Sequence, residues 1–423
     1  MDFIGVKMQE IPRDKYLQKL ISHQRVPLIK VITGIRRCGK SYLLDPIFKN
    51  YLIGQGVPED HIIHLNLEFD KNKIYRNPTA LREYVEGRIG DSGQYYVLLD
   101  EIQLVPEFEG VLSGFLALPN VDVYVTGSNS KFLSSDIITE FRGRSDEIRM
   151  YPLSFLEYYT AMGGDRLTAW LDYTRYGGLP LVTTFPDAAS KMGYLINLQK
   201  NIYLKDVVER YNIKNDVALT SLVQIVASST GSLTNPYKLE NTFKSVTGVA
   251  LSHNTIGDYL ARLGEAYILE QADRYDVKGK QYIDTPHKYY FTDIGLRNSF
   301  LGFRQQDDGH VMENIIYNEL RQRGYQVDVG VVKTYAADGK ETDLEVNFVA
   351  NRGDRRYYVQ SALRMNTAEI QQRELKSLRK IDDSFKKIVI TADLTSPVRS
   401  DDGIITMNIL DFLLTPDSLE RDI

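Results

Sequence analysis

The chain predicts an α/β protein whose first domain is a parallel sheet covered by helices on both faces. Three observations predict it. An eight-residue G-x-x-x-x-G-K-S pattern (Gly34, Ile35, Arg36, Arg37, Cys38, Gly39, Lys40, Ser41) follows an apolar run at 26–32 and precedes an apolar-periodic stretch of Tyr42, Leu43, Leu44, Ile47 and Phe48. Strand-like and helix-like segments then alternate to about residue 151, the pattern of a parallel sheet. Finally, the apolar strand at 95–99 runs straight into two carboxylates, Asp100 and Glu101.

A short amphipathic helix is expected first, with apolar residues at 16, 17, 20 and 21. The strand before the glycine pattern follows. Glycines 34 and 39 permit backbone angles closed to other residues, so that successive amides turn inward on a phosphate at a helix N-terminus. This strand–loop–helix context is that of a phosphate-binding loop. Its nucleotide-binding segment runs from Gly34, Ile35, Arg36, Arg37, Cys38 and Gly39 to Lys40, Ser41 and Tyr42. Lys40 would place its charge on the β- and γ-phosphates, and Ser41 would ligate Mg2+. Next come a strand at 61–67, a helix at 79–89, the strand ending in Asp100-Glu101, a helix at 107–116, a strand at 121–126 and a last strand at 147–151.

Ligands in such sheets bind beyond the carboxyl ends of the strands. The glycine loop, the carboxylate pair and the polar pair Ser128-Asn129 all fall there. Asp100 would hold Mg2+ and Glu101 would activate the attacking water as general base. Asn129, or Ser128 beside it, would sense the γ-phosphate; a plain turn serves the same residues equally well. Cys38 is the one cysteine. It reads either as a redox control on the loop or as a small filler residue, and filler is the simpler role.

Composition narrows the field. With 43% hydrophobic and 25% charged residues, the chain reads as a globular protein of two or three domains. No apolar run approaches ~18 residues, so no membrane span is expected. The N-terminal residues lack the pattern of a secretory leader, and a single cysteine suits a reducing cytoplasm. A net charge of -5 excludes a protein that coats nucleic acid non-specifically.

The strings "ITGIRRCGKSYLL", "YYVLLDEIQLVPEFE", "VYVTGSNSKFLSSDI" and "FRGRSDEIRMYPLSFLEYY" resemble a group of bacterial and archaeal AAA+-like ATPases. In that group a winged helix and a further C-terminal domain follow the ATPase core. The resemblance implies ATP as the nucleotide, which the glycine pattern alone does not choose over GTP. It implies the sheet order 5-1-4-3-2 for the P-loop NTPase core. It also implies a functional arginine in "FRGR", either Arg142 or Arg144, acting in its own chain or on a neighbouring copy. A homo-oligomer is therefore one expected state.

On these boundaries the ATPase core covers 1–155, and a helical linker with a winged helix covers 156–303. The middle segment opens with "GGLP" at 177–180, another element that resembles the family. Helical patterns at 217–229, 238–247 and 252–264, then strand-like runs at 266–270 and 287–291, compose a winged helix. Its third helix offers His253, Asn254, Thr255 and Arg262 to DNA, offset by Asp258 and Glu265, and carries little cationic charge for phosphates.

Residues 304–423 give a helix at 311–323, strands at 325–332, 343–349 and 356–360, a helix at 367–380 and a strand at 387–391. This order resembles a restriction-endonuclease core. In such nucleases the resemblance implies an acidic residue on one strand and an E-x-K or Q-x-K triplet on the next. Here Asn347 stands where the aspartate belongs, and Gln360-Ser361-Ala362 lacks the lysine, which leaves Glu313 as the remaining carboxylate. Nuclease shape without nuclease chemistry is the expectation. Arg352, Arg355, Arg356 and Arg364 could grip an acidic partner, but acidic residues outnumber basic ones in this segment, so a solvated face is the simpler reading. The sequence thus predicts a Mg2+-dependent ATP hydrolase that works as a nucleotide-driven switch. DNA and protein both stand open as partners.

Overall fold

The computed structural model describes residues 10–127, 141, 143–304, 307–335 and 339–421. Two compact units divide the chain: Met1–Pro152 with Glu265–Tyr267, and Leu153–Gly264 with Ile268–Ile423.

The first unit is built on β1 (Ile29–Thr33), β2 (Ile62–Asn66), β3 (Tyr95–Asp100), β4 (Val121–Thr126) and β5 (Ser145–Arg149). They form one sheet in the order β2-β3-β4-β1-β5, and every pairing in it is parallel. This is the order 5-1-4-3-2 that the family resemblance implies. All residues of β1, β3 and β4 are buried, as parallel strands covered on both faces must be. Val31, Val97, Leu99, Val123 and Val125 pack with Leu112 and Phe115 of the helix Phe108–Leu116 on one face.

A charged pair lies inside this sheet. Lys30 and Asp122 are 0% and 3% exposed and form a salt bridge. Asp122 also accepts from the Tyr124 hydroxyl at 2.9 Å and the Arg25 amide at 2.9 Å, and Lys30 donates to the Val26 carbonyl at 2.8 Å. Such a pair survives burial because each charge has several partners.

The second unit begins with helices. Phe155–Met162 opens on a Ser154/Glu157 capping box, and Arg166–Tyr176, Ala188–Leu198 and Lys205–Tyr211 follow. The three helices expected next are Asp216–Ser228, Pro236–Thr247 and His253–Glu265, the last opening on Ser252, whose hydroxyl accepts the Thr255 amide at 3.2 Å. After them come β6 (Leu269–Asp276), β7 (Gln281–Phe291), β8 (Gln326–Tyr335), β9 (Glu341–Arg352), β10 (Arg355–Ala362), β11 (Lys386–Thr391), β12 (Val398–Arg399) and β13 (Ile405–Asn408). These make one mixed sheet in the order β12-β13-β11-β10-β9-β8-β6-β7. The β6–β7 ribbon is not a free wing: β6 pairs in parallel with β8, setting Arg274 opposite Val329.

The helix Ile294–Phe300 is buried at every residue. Asp293 caps it, accepting the Leu296 amide at 2.8 Å and the Gly178 amide of the "GGLP" element at 2.8 Å. A Cβ on Gly295 would stand 2.0 Å from the Tyr176 carbonyl oxygen, so the two segments fit together only with glycine there. Among the described residues, no helix is long and apolar enough to cross a membrane.

Candidate functional site

The loop between β1 and the helix that begins at Lys40 has the shape its glycines foretell. Gly34 and Gly39 take φ of +138° and +103°. At Gly34 a Cβ would meet the Met150 carbonyl oxygen at 2.0 Å. Arg37 also takes a left-handed φ of +67°, and its side chain is exposed. Arg36 reaches Glu68 beyond β2 at 2.8 Å. Ile35 and Cys38 are buried, and the Cys38 thiol lies 3.6 Å from the Met150 carbonyl. That is the position of a packing residue. Tyr42 is 38% exposed.

Lys40 is buried, and its ammonium donates to the carbonyls of Gly34 at 3.0 Å and Ile35 at 3.1 Å. Asp100 ends β3, 1% exposed. Ser41 and the Lys40 charge both favour the ionised form of the Asp100 carboxyl. The three residues assigned to phosphate and magnesium therefore meet at one point.

Sequence reasoning missed three residues that shape this point. Thr126, the last residue of β4, donates its hydroxyl to Asp100 Oδ1 and accepts the Glu101 amide at 3.0 Å. Asn66, the last residue of β2, donates to Asp100 Oδ2 at 2.6 Å. Both are polar residues ending strands of a sheet whose ligands bind at strand tips, and that signal could have found them. Arg13 precedes the first helix and binds the Cys38 carbonyl at 3.0 Å and the Tyr151 carbonyl at 2.7 Å. No local pattern marks it.

Burial pushes the Asp100 carboxyl above its ordinary pKa. The Thr126 hydrogen bond opposes this, the neighbouring Glu101 charge adds to it, and Ser41 and Lys40 oppose it. A buried carboxylate with its proton affinity raised is suited to a cation that would discharge it. The donor set thus fits magnesium, and the glycine cradle fits a phosphate chain. Glu101 follows with φ +58°, half-buried, and Gln103 donates to its carboxylate.

Of the two arginines expected, Arg144 is placed away from a phosphate held in the same chain. β5 runs parallel to β1 with Ile29 opposite Ser145 and Thr33 opposite Arg149. Arg144 therefore stands at the amino end of β1, where its carbonyl accepts the Ile29 amide at 2.8 Å. The phosphate loop leaves the other end, roughly 16 Å away at about 3.3 Å per residue. Arg142, Ser128 and Asn129 lie outside the described residues.

In the second unit, His253 pairs with Glu240 at 3.0 Å and stacks on Tyr237, and Arg262 covers the Tyr211 ring. Two of the donors expected to face DNA are therefore engaged within the chain. Arg352 and Arg355 both pair with Glu420, while Arg356 bonds Asn351 and lies over the Tyr275 and Phe385 rings. Ala362 packs in an apolar cluster with Val389 and Leu378, and Asn347 donates to Glu313 at 2.9 Å.

Residues 27–159 match the family described as an AAA domain. Residues 167–307 match a domain of unknown function, DUF8612. An uncharacterized protein of Haemophilus influenzae is 35% identical over 412 residues, spanning 96% of this chain and 98% of its own. An uncharacterized protein of Methanocaldococcus jannaschii is 28% identical over 400 residues, spanning 90% and 84%. Among solved structures, the Walker-type ATPase PABY2304 of Pyrococcus abyssi has a TM-score of 0.50 at 15% identity, covering 69% of this chain and 96% of that one. At that identity the likeness concerns the fold. The AAA match contains the whole cluster around Lys40 and Asp100, and the Haemophilus relative is similar from end to end; the chain belongs to that relative's family, whose first part is a P-loop ATPase domain of the AAA kind.

Proposed function

We propose that the chain binds Mg·ATP at residues 34–42, hydrolyses it slowly, and uses the nucleotide state as a switch for its C-terminal parts. One observation carries the reading: Ser41 and Lys40, at the start of the helix after the glycine loop, both act on the Asp100 carboxylate that ends β3. Loop amides and Lys40 would bind the phosphates, with Lys40 exchanging its two carbonyl partners for them. Ser41 and Asp100 would hold magnesium, whose charge offsets that building on the phosphate oxygens. Thr126 and Asn66 orient Asp100 by occupying both its oxygens. Glu101, its amide fixed by Thr126, would take a proton from water, a role worth about 10²–10⁴ in rate. Asn129 retains its proposed role as the γ-phosphate sensor. An arginine contribution from Arg144 would reach the site of a second copy, in a homo-oligomer.

The engagement of His253 and Arg262 within the chain favours a switch over a DNA-driven motor. Turnover of ATP by the full chain tests both readings. Lys40→Ala should abolish Mg·ATP uptake in calorimetry, and Glu101→Gln should keep uptake while losing about 100-fold or more in turnover. Turnover raised severalfold by single- or double-stranded DNA would replace the switch with the motor. Retained uptake in Lys40→Ala would refute the site.

A further inference from the structure

A groove of about 940 Å3 opens among the helices of the second unit. The buried helix Ile294–Phe300 packs against Ala188–Leu198, the π-helical turn Gln199–Leu204 and Asp216–Ser228, and its C-terminal end closes the groove. One wall is the face of Asp216–Ser228 that carries Asp216, Thr220 and Gln224 at four-residue spacing. The other wall runs from Ile196 to Glu209, roughly 20 Å of helix at about 1.5 Å per residue. Every lining residue falls within 167–307, the segment that matches the domain of unknown function.

Gln199 is 5% exposed and lines this groove. Among the described residues, nothing hydrogen-bonds its side-chain amide. The π-helical turn puts it there: wider winding brings residues five apart to one side, so that Gln199 and Leu204 both line the groove. A buried amide without a partner is costly and rare in a folded chain. Around it Ile196, Leu204, Val208 and Phe300 offer apolar surface. The exposed margin carries three cations, Lys200, Lys205 and Arg304, against the carboxylates of Glu209 and Asp216. Lys205 pairs with Glu209 at 3.7 Å. Lys200 and Arg304 have no ion pair among the described residues, which leaves the margin with surplus positive charge.

We infer that this groove binds an extended peptide segment of a partner protein, one with apolar side chains and at least one carboxylate. The Gln199 carboxamide holds donor and acceptor side by side and pairs with the N–H and C=O of a peptide main chain. A helical segment would not use it, because its main-chain groups are already paired. Apolar side chains of the peptide pack on Leu204, Val208 and Phe300, and its carboxylate meets Lys200 and Arg304. The longer wall accommodates about six extended residues at ~3.3 Å each. A nucleic-acid strand would instead bring repeated phosphates to Asp216 and Glu209. The inference is independent of the ATP reading, since the groove and the phosphate loop share no residue.

Selection of displayed random peptides of about seven residues on the immobilised full chain, without nucleotide, tests it. Recovered sequences should combine apolar residues with Asp or Glu, and as fluorescent synthetic peptides they should gain polarisation on the natural chain. Gln199→Leu should weaken them about tenfold or more, the loss of one buried hydrogen bond. It should melt no lower than the natural chain, since the amide has no partner to lose. Lys200→Glu/Arg304→Glu, at exposed positions, should weaken the same peptides while leaving melting unchanged. Failure to recover binding peptides, recovered peptides indifferent to either variant, or their displacement by a short single-stranded DNA overturns the inference. So does a Gln199→Leu chain that melts several degrees lower or does not fold, because the amide would then be a structural group satisfied through water.

Discussion

Thr126→Val replaces one hydroxyl by a methyl at nearly constant volume and removes two hydrogen bonds at once. One goes to the buried Asp100 carboxylate. The other comes from the Glu101 amide at 3.0 Å. A bond to a charged group contributes about 1.5–3 kcal/mol and a neutral one about 0.5–1.5 kcal/mol. At neutral pH the variant should lose about 3 kcal/mol, most of it through Asp100. The pH dependence separates the two parts. Burial raises the Asp100 pKa above its ordinary value, and the Thr126 bond is the largest influence restraining that rise. The folded chain therefore holds this proton more tightly than the unfolded chain, and stability falls as pH climbs from the ordinary carboxyl value through the folded one. Without Thr126 the folded value moves higher still, so the fall is deeper. Below the ordinary value both chains carry a neutral carboxyl, and the penalty should shrink to about 2 kcal/mol, the worth of two neutral hydrogen bonds. Urea denaturation of both chains at several pH values between about 3 and 7.5 measures this. A penalty that stays constant across the range, or grows towards acid, would refute the reasoning.

Arg13→Ala should cost about 2–4 kcal/mol through its two carbonyl bonds, and calorimetry should find Mg·ATP bound about tenfold more weakly because the Cys38 turn is no longer braced. Lys30→Met should destabilise by about 3–5 kcal/mol in denaturant by stranding Asp122, and Lys30→Met/Asp122→Leu should recover most of it. Gly295→Ala puts a methyl into the Tyr176 carbonyl and should cost more than about 4 kcal/mol, seen as loss of soluble, cooperatively melting chain. Arg144→Ala should leave Mg·ATP affinity unchanged, since its own loop is at the far end of β1; an affinity loss in dilute protein would overturn that placement.

Burial on two faces made the first sheet legible. β1, β3 and β4 read as apolar runs, and their ends coincide with the loop and with Asp100, so the site's centre could be named from spacing alone. β5 was expected two residues late because Ser145, Asp146 and Glu147 lie on a sheet edge where polar residues suffice. β6 was placed early for a similar reason: Ile268 and Leu269 looked like its middle, but the strand continues through Glu270, Gln271, Asp273 and Arg274, which β7 and β8 pair through backbone rather than pattern. The helix Ile294–Phe300 has no solvent-exposed face to betray its period, since even Arg297, Asn298 and Ser299 are buried. Asn66, Thr126 and Arg13 act through carbonyls and one carboxylate distant in sequence, which no local spacing reveals. Arg144 looked plausible because distance along the chain says nothing of which end of a parallel strand a residue meets.

The buried thiol of Cys38 has a practical consequence. As the chain's one cysteine, enclosed beside the Met150 carbonyl, it can meet an alkylating reagent only while the surrounding turn is open. Its labelling rate therefore counts local opening events of the nucleotide loop, in the natural sequence and with no engineered probe. A nucleotide that tightens the loop would slow the reaction, and a substitution that loosens it would speed it.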